Sequence, residues 1–277
     1  PFGGSNDLAK GVLRTPVDPR QSFDDDPLRM MRAVRFVAQL GFSIEPETAE
    51  AMYDMTDRIR IVSAERVRDE LVKTLLSDRP RAGIEALVES GLADIVFPEI
   101  PALELQIDEH HRHKDVFEHT MIVLDRAVAL ETDDDGPVPR PDLTLRLAAL
   151  MHDIGKPKTR RFEAGGKVSF HHHDVVGAKL TRKRLRALHF DHHLVEDVSE
   201  LVNLHLRFHG YVDEPWTEVE HGPVGFADHR AGFEPEQIHD LVAVDVGADR
   251  VEVLFLLLPN RGAATAVFAF PATDAVS

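Results

Sequence analysis

The sequence predicts an all-α protein with at most one small β-hairpin. Apolar residues recur at helical spacing in several long segments, which is the main signal for amphipathic helices. Residues that favour helix starts, such as aspartate, serine and proline, precede these segments, and glycine follows several of them. The segment from Lys158 to Ser169 departs from the pattern. Because it contains Gly165-Gly166, it predicts a hairpin-like excursion.

Length and composition define the broad class of the protein. The 277 residues, of which 43% are hydrophobic and 29% charged, fit one large or two ordinary globular domains. Cysteine is absent, so no disulfides are expected and a cytoplasmic location is predicted. No apolar stretch approaches the roughly 20 residues of a membrane span. The formal charge of −16 predicts that any RNA site is a local basic patch.

A helix is expected from Asp26-Pro27 to Gly41, after 26 residues that are expected to form loop and short turns. Aspartate caps helices well, proline suits the first turn, and glycine commonly ends a helix. One face carries three arginines at a spacing of three: Arg29, Arg32 and Arg35. Two interpretations stay open. These arginines form a solvated, ion-paired face, or Arg29 pairs with Asp26 and presents donors and acceptors to a planar base edge.

Further helices are expected throughout most of the remaining chain. In the first half they start at Pro46, Ser63 and Arg81. In the second half they carry His119, span residues 143–152, start near His173 and start at His192. After Trp216 the helical periodicity fades, so residues 251–277 are expected to be an atypical tail.

An adjacent His152-Asp153 pair follows the apolar stretch from Leu147 to Met151. A histidine beside an aspartate at the end of a buried helix can give a metal ion one nitrogen and one oxygen ligand. Gly155, Lys156 and Pro157 come next. Other candidate ligands stand in segments that further helices could bring close: His119, His173, His205, Asp245 and Asp249.

This order of residues resembles the HD metal-dependent phosphohydrolase superfamily. The resemblance rests on His-Asp-x-Gly-Lys-Pro, with Glu-His-Thr upstream and His-Asp-x-x-Gly downstream. It implies a divalent metal ion, not distinguishable among Mg, Mn, Ni, Co, Fe and Zn, held by His119, His152, Asp153 and Asp245, with Asp249 as the alternative to Asp245.

The same resemblance implies a catalytic set for phosphate-ester hydrolysis: His152, Asp153, Lys156 and His173. Lys156 either neutralises charge on the transferring phosphate or is an exposed helix end. His173 and His205 could be ligands of a second metal ion, phosphate donors or general acids.

A second resemblance covers the N-terminal part of the chain. Asp-Asp-Pro-Leu-Arg-Met-Met-Arg, preceded by Pro-Phe-Gly-Gly, resembles the neck of the CCA-adding tRNA nucleotidyltransferase and poly(A) polymerase family. It implies that ATP or CTP, the substrates of a full-length protein, is selected by Asp25, Asp26, Arg29 and Arg32. Asp25 replaces the glutamate of the family motif.

The neck resemblance also implies contacts with the tRNA body. The candidate side chains are Arg35, Arg66, Arg68 and Lys73, and surface solvation is the alternative for each. The paired Asp-x-Asp of the family's polymerase head is not found, and the chain begins at proline. We therefore expect a fragment or trimmed product in which the head is missing and the nucleotidyl-transfer metal site is lacking.

These observations predict a neck and body over residues 1–105, an HD phosphohydrolase domain over 106–250 and the tail over 251–277. The expected function is that of the C-terminal portion of a CCA-adding tRNA nucleotidyltransferase-like protein whose HD domain hydrolyses phosphate esters. A stand-alone HD nucleotide phosphohydrolase and a non-catalytic RNA-binding module are the alternatives. The expected partners are tRNA and nucleotides, with no membrane, and a homodimer is left open.

Overall fold

We analysed a computed structural model of the chain. It describes residues 3–104, 116–131, 140–163 and 168–206, together with the backbone of three strands at 242–245, 251–255 and 266–267. Helices dominate these ranges, so the all-α prediction is confirmed. None of the described helices is both long and apolar enough to cross a membrane.

The first 26 residues contain two helices, so the prediction of loop and short turns was wrong. Helix α1 spans Gly4–Lys10 and helix α2 spans Pro19–Asp25. The Asp18 carboxylate accepts a hydrogen bond from the Gln21 N–H at 3.0 Å and so caps α2. The glycines and prolines that suggested loops instead lie mainly at the ends of these helices.

The region up to residue 104 is a helical body. Strand β1 (Val12–Leu13) pairs in parallel with β2 (Ser43–Ile44), which lies just beyond Gly41. Gly41 has a φ of 67° and ends α3, as predicted. The α-helices of this region are α3 (Leu28–Leu40), α4 (Pro46–Asp54), α5 (Ala64–Leu75), α6 (Pro80–Glu89) and α7 (Ala93–Val96). Short 3₁₀ helices span Thr56–Ile61 and Pro101–Leu103.

The second helical region contains α8 (Val116–Leu130), α9 (Leu143–Met151), α10 (Lys156–Thr159), α11 (His173–Ala187) and α12 (His192–Leu204). The predicted hairpin is present, with β3 (Arg161–Phe162) antiparallel to β4 (Val168–Ser169). An additional antiparallel sheet has the order β5 (Val242–Asp245), β6 (Val251–Phe255) and β7 (Ala266–Val267). We did not predict this sheet.

The body and the second helical region share one hydrophobic core. Its buried side chains extend without a break from Phe23 in α2 to Val202 in α12. At the contact, Arg146 of α9 is 1% exposed and forms a two-pronged ion pair with Glu131, which follows α8. Its guanidinium also donates to the backbone carbonyls of Leu75 and Ser77, beside the end of α5. Arg146 therefore ties α9 to both halves of the molecule.

A rim of ion pairs surrounds this buried contact. Arg81 of α6 donates to Glu118 and Asp125, both on α8, at 2.8 and 3.1 Å. Arg184 of α11 pairs with Glu99 of the body at 2.8 Å. These contacts fix the orientation of the second region relative to the body.

We predict that Glu131→Ala destabilises the protein by about 3–5 kcal/mol, because it leaves the buried Arg146 guanidinium without its carboxylate. Urea denaturation measures the change. Asp54→Ala is the control, since it removes the exposed Arg20–Asp54 pair and is expected to have a much smaller effect. Equal effects of the two substitutions would show that the buried Arg146–Glu131 ion pair contributes no more to stability than an exposed ion pair does.

Candidate metal centre

The candidate site is built at the end of α9. The Asp142 carboxylate starts this helix by accepting from the Leu145 N–H at 3.0 Å. All residues from Leu145 to Met151 are buried, so the end of the helix lies deep in the core. His152 and Asp153 follow, and the Asp153 carboxylate is only 2% exposed.

Four histidines and one lysine surround the Asp153 carboxylate. Nitrogens near its Oδ2 atom are Lys156 Nζ at 3.0 Å, His152 Nε2 at 3.1 Å and His119 Nε2 at 3.9 Å. Nitrogens near its Oδ1 atom are His173 Nε2 at 3.3 Å and His205 Nε2 at 4.0 Å. Residues far apart in the sequence thus converge on a single carboxylate.

The backbone sets the tautomer of three of these histidines. Each has its Nδ1 atom near the carbonyl oxygen of the residue three positions earlier: His152 at 2.9 Å, His173 at 2.8 Å and His205 at 2.6 Å. A carbonyl oxygen only accepts, so Nδ1 carries the proton. When such a ring is neutral, its lone pair is on Nε2, which is the form that binds a metal ion.

The arrangement places lone pairs close together. His173 Nε2 and His205 Nε2 are 3.1 Å apart. Two unprotonated nitrogens at this distance repel each other unless a proton or a cation lies nearby. Burial is the main cause that lowers the pKa of His205 well below its usual range, and this favours its neutral, ligand form.

The charge of Asp153 is maintained by its neighbours. Burial alone opposes ionisation, but His152, which is cationic when Nε2 is protonated as well as Nδ1, and the Lys156 ammonium group outweigh it and hold the pKa of Asp153 well below its usual range. Within the described residues, Asp153 Oδ2 is nevertheless a buried oxygen that lacks a hydrogen bond of standard geometry. An ionised carboxylate surrounded by imidazole nitrogens fits a divalent cation.

The ligand atoms form two groups that share Asp153. One group contains His119, His152 and Asp153, and the other contains Asp153, His173 and His205. Within each group all ligand atoms lie within 4.8 Å of one another. This set of imidazoles and one carboxylate could hold one divalent ion, or two ions with Asp153 between them.

Gly155 permits this convergence. A Cβ atom on Gly155 would lie 2.0 Å from the carbonyl oxygen of His173 and 2.7 Å from the backbone nitrogen of Gly177. The start of α10 therefore crosses α11 in backbone contact. Only glycine at position 155 lets His173 lie beside Asp153.

Four predicted catalytic residues, His152, Asp153, Lys156 and His173, lie together in this site. Lys156 is only 9% exposed, so the alternative interpretation as an exposed helix end was wrong: its ammonium group turns inward because Asp153 is its counter-ion. His205, for which the sequence left three roles open, is part of the second ligand group.

The last predicted ligand is not tested by these contacts. The backbone of Asp245 ends β5, but its side chain lies outside the described residues. Asp249 also lies outside them.

The N-terminal candidates have different contacts from those expected. The predicted Asp26–Arg29 pair is not formed, because Arg29 donates to the Ser22 carbonyl and hydroxyl at 3.0 and 2.9 Å. Asp26 instead accepts from the Leu28 N–H at 3.2 Å and lies 3.6 Å from Arg66. The remaining two of the set, Asp25 and Arg32, are exposed.

The proposed RNA contacts on α3 and α5 are partly engaged within the protein. Arg35 is mostly buried and pairs with Glu70 at 2.9 Å, and Lys73 pairs with the same carboxylate at 3.3 Å. Arg68 donates to Asp69 and to the carbonyl of His189. Arg66 and Lys73 remain exposed to solvent.

Comparison with known proteins shows which domain families and relatives the chain resembles. Residues 41–103 match the family described as the probable RNA and SrmB-binding site of polymerase A, and residues 116–252 match the HD domain. An A-adding tRNA nucleotidyltransferase from Deinococcus radiodurans is 37% identical over 212 residues, covering 74% of this chain and 47% of the relative. The chain is therefore similar to tRNA nucleotidyltransferases over about three quarters of its own length.

A second relative shows the same similarity. A multifunctional CCA protein from Neisseria gonorrhoeae is 36% identical over 214 residues, covering 76% of this chain and 48% of the relative. The chain thus spans about half the length of the curated relatives it matches. A solved CCA-adding enzyme with CTP has the same fold over 76% of this chain and 42% of its own, with 19% identity and a TM-score of 0.50.

We predict that Gly155→Ala costs about 1–3 kcal/mol of stability or more, because the added methyl group overlaps backbone atoms that cannot rotate away. Urea denaturation tests this. Gly4→Ala is the matched control, since a Cβ there meets nothing within 4 Å. Equal stability of the two variants would show that the α10–α11 crossing is not as tight as described.

Proposed function

We propose that this chain provides the neck, body and HD portions of a tRNA nucleotidyltransferase-like protein, and that its HD site hydrolyses phosphate esters. The observation that carries the hydrolase part is the convergence of His119, His152, His173 and His205 on the buried Asp153 carboxylate. The names of the relatives, an A-adding tRNA nucleotidyltransferase and a multifunctional CCA protein, support tRNA as the partner.

The two helical regions are proposed to have different functions. We assign residues 1–105 to the neck and body, 106–250 to the HD domain and 251–277 to the tail. Asp25, Asp26, Arg29 and Arg32 are proposed to select the nucleotide, with Arg29 held in place by Ser22. A solved CCA-adding enzyme in complex with CTP is consistent with a nucleotide ligand for this region of the family.

The HD site supplies ligands and fixed charges for hydrolysis. A divalent cation, when bound, promotes ionisation of water and polarises a phosphoryl oxygen. His119, His152 and Asp153 are proposed to hold it, with Asp245 or Asp249 as a further ligand. The backbone carbonyls that accept from Nδ1 of His152 and His173 keep these rings oriented.

Lys156 and His173 are proposed to act on the phosphate ester itself. The Lys156 ammonium group is held 3.0 Å from Asp153, at the edge where an anionic phosphate would approach. Its charge offsets the negative charge that develops on the phosphate oxygens. His173 Nε2 lies near the opposite oxygen of Asp153, where it can hold a second cation or, when that nitrogen is protonated, transfer its proton to the leaving oxygen.

We predict that His152→Ala lowers metal-dependent hydrolysis of bis(p-nitrophenyl) phosphate by about 100-fold or more, because a ligand and its backbone-oriented lone pair are both lost. Calorimetry on the same variant should show weaker binding of Mn²⁺. His192→Ala is the control, since this histidine is exposed at the start of α12.

The outcome distinguishes the candidate functions. Loss of both metal binding and hydrolysis only in His152→Ala supports the hydrolase. If wild-type protein binds tRNA but neither binds Mn²⁺ nor hydrolyses the ester, the chain is a non-catalytic RNA-binding module.

We further predict that Arg66→Ala weakens tRNA binding and lowers the slope of log K against log salt by about one, because it removes one phosphate contact. Fluorescence anisotropy with labelled tRNA at several salt concentrations measures this slope. Arg60→Ala removes a comparable exposed arginine that pairs with Asp57, and should leave the slope unchanged. An unchanged slope in Arg66→Ala would exclude Arg66 from the tRNA interface.

A further inference from the structure

The segment that follows the candidate metal centre is strongly basic. Between Asp153 and Glu163 the chain has no acidic residue and has four cationic ones: Lys156, Lys158, Arg160 and Arg161. In a chain with 48 acidic and 32 basic residues, this is a local reversal of charge. Such a stretch attracts anionic ligands even though the net charge of the protein is negative.

The cations of this segment are less neutralised than those of the body. Within the described ranges, Lys158 and Arg161 are exposed and no acidic side chain lies within ion-pair distance of either. By contrast, Arg35, Arg66 and Lys73 each have an acidic partner. The charges at positions 158 and 161 are therefore available to a ligand.

The hairpin is anchored to the metal centre at both ends. Strand β3 follows α10, whose Lys156 contacts Asp153. Strand β4 leads into Phe170, whose carbonyl oxygen orients His173 and whose ring lies 5.6 Å from Lys156 Nζ. Phe162 lies six positions after Lys156 in the sequence, so their Cα atoms are at most about 21 Å apart.

Phe162 is the most exposed of the large apolar side chains described, at 75%. The Arg160 guanidinium lies 5.3 Å from the centre of its ring. The pair therefore offers an aromatic face together with a planar cation, on a hairpin that the pairing of Phe162 with Val168 holds in place.

We propose that the hairpin formed by β3 and β4 binds the terminal nucleotide of a single-stranded RNA 3′ end, and so directs the HD site to RNA rather than to small phosphate esters. This inference rests on the proposed hydrolase function. Phe162, with Arg160, stacks against the base, and Lys158 and Arg161 contact backbone phosphates. Aromatic stacking and basic side chains are the general means of holding single-stranded nucleic acid.

The site selects for a nucleotide but not for a particular base. Every base has a flat face that can stack on Phe162, and the cations recognise phosphate, which is common to all nucleotides. A terminal 2′,3′-cyclic phosphate or 3′-phosphate would extend from the stacked nucleotide toward Lys156. A substrate without a base cannot stack on Phe162, so Phe162 does not increase its affinity.

The test compares two substrates in the full chain. One is a short RNA that ends in a 2′,3′-cyclic phosphate, and the other is bis(p-nitrophenyl) phosphate. In Phe162→Ala the ratio of kcat/KM for the RNA to that for the small ester should fall about tenfold, because base stacking is lost. Phe162→Trp should keep the ratio near its wild-type value, because tryptophan also offers an aromatic face for stacking. Tyr53→Ala removes a comparably exposed aromatic side chain, at 65%, and should leave the ratio unchanged.

Direct binding separates this inference from the hydrolase proposal. The affinity for a short RNA with a 3′-phosphate is measured by fluorescence anisotropy in EDTA, where no hydrolysis is needed. Weaker binding in Phe162→Ala but not in Tyr53→Ala supports the hairpin even if neither substrate is hydrolysed, in which case only the hydrolase proposal fails. An unchanged substrate ratio, or unchanged RNA affinity, in Phe162→Ala overturns the inference.

Discussion

A buried carboxylate is the constraint on which this structure depends. Asp153 lies in the core, where an uncompensated charge costs several kcal/mol. Lys156 and the four imidazoles around it provide that compensation, and three of these imidazoles are oriented by the backbone carbonyl three residues earlier in the chain. The backbone contact of Gly155 with His173 follows from the same need, because it brings α11 close enough for its histidine to reach Asp153. The packing of α10 against α11, the hydrogen bonds of the histidines and the nearby charges therefore all affect Asp153.

A second buried charge on α9 relates this site to the body. Arg146 and Asp153 are seven residues apart, about two helical turns, so the two charges lie at opposite ends of α9. Arg146 is held by Glu131 and by carbonyls beside α5. The helix that ends at the candidate metal centre is thus fixed at its other end to the helices proposed to bind tRNA. A shift of α9 would disrupt both sets of contacts, so the body and the HD site are expected to move as one unit.

The sequence predicted the site better than its surroundings. His152-Asp153 stood out because two ligand types are adjacent after an apolar helix, and the order of the distant histidines added His119, His173 and His205. The inward turn of Lys156 was not predictable, since it depends on the depth of Asp153 in the core. The absence of the Asp26–Arg29 pair depends on Ser22, which a different helix supplies. The sheet of β5, β6 and β7 was missed because the loss of helical periodicity after Trp216 does not indicate which residues form strands or how the strands pair. The spacing of residues along one helix could be predicted from the sequence, whereas the side-chain contacts of Lys156 and Arg29 could not.

Electrostatics limits where RNA can approach this protein. With a net charge of −16, the long-range field repels a polyanion, so binding depends on local cations that internal carboxylates do not neutralise. On α3 and α5 most candidate cations have such carboxylates nearby, and an RNA phosphate must compete with them. On the segment that leads into the hairpin, Lys158 and Arg161 have no such competitor within the described residues. A 3′ end bound to the hairpin as proposed would therefore contact cations that have no carboxylate partner among the described residues, in the segment that follows Asp153 and Lys156.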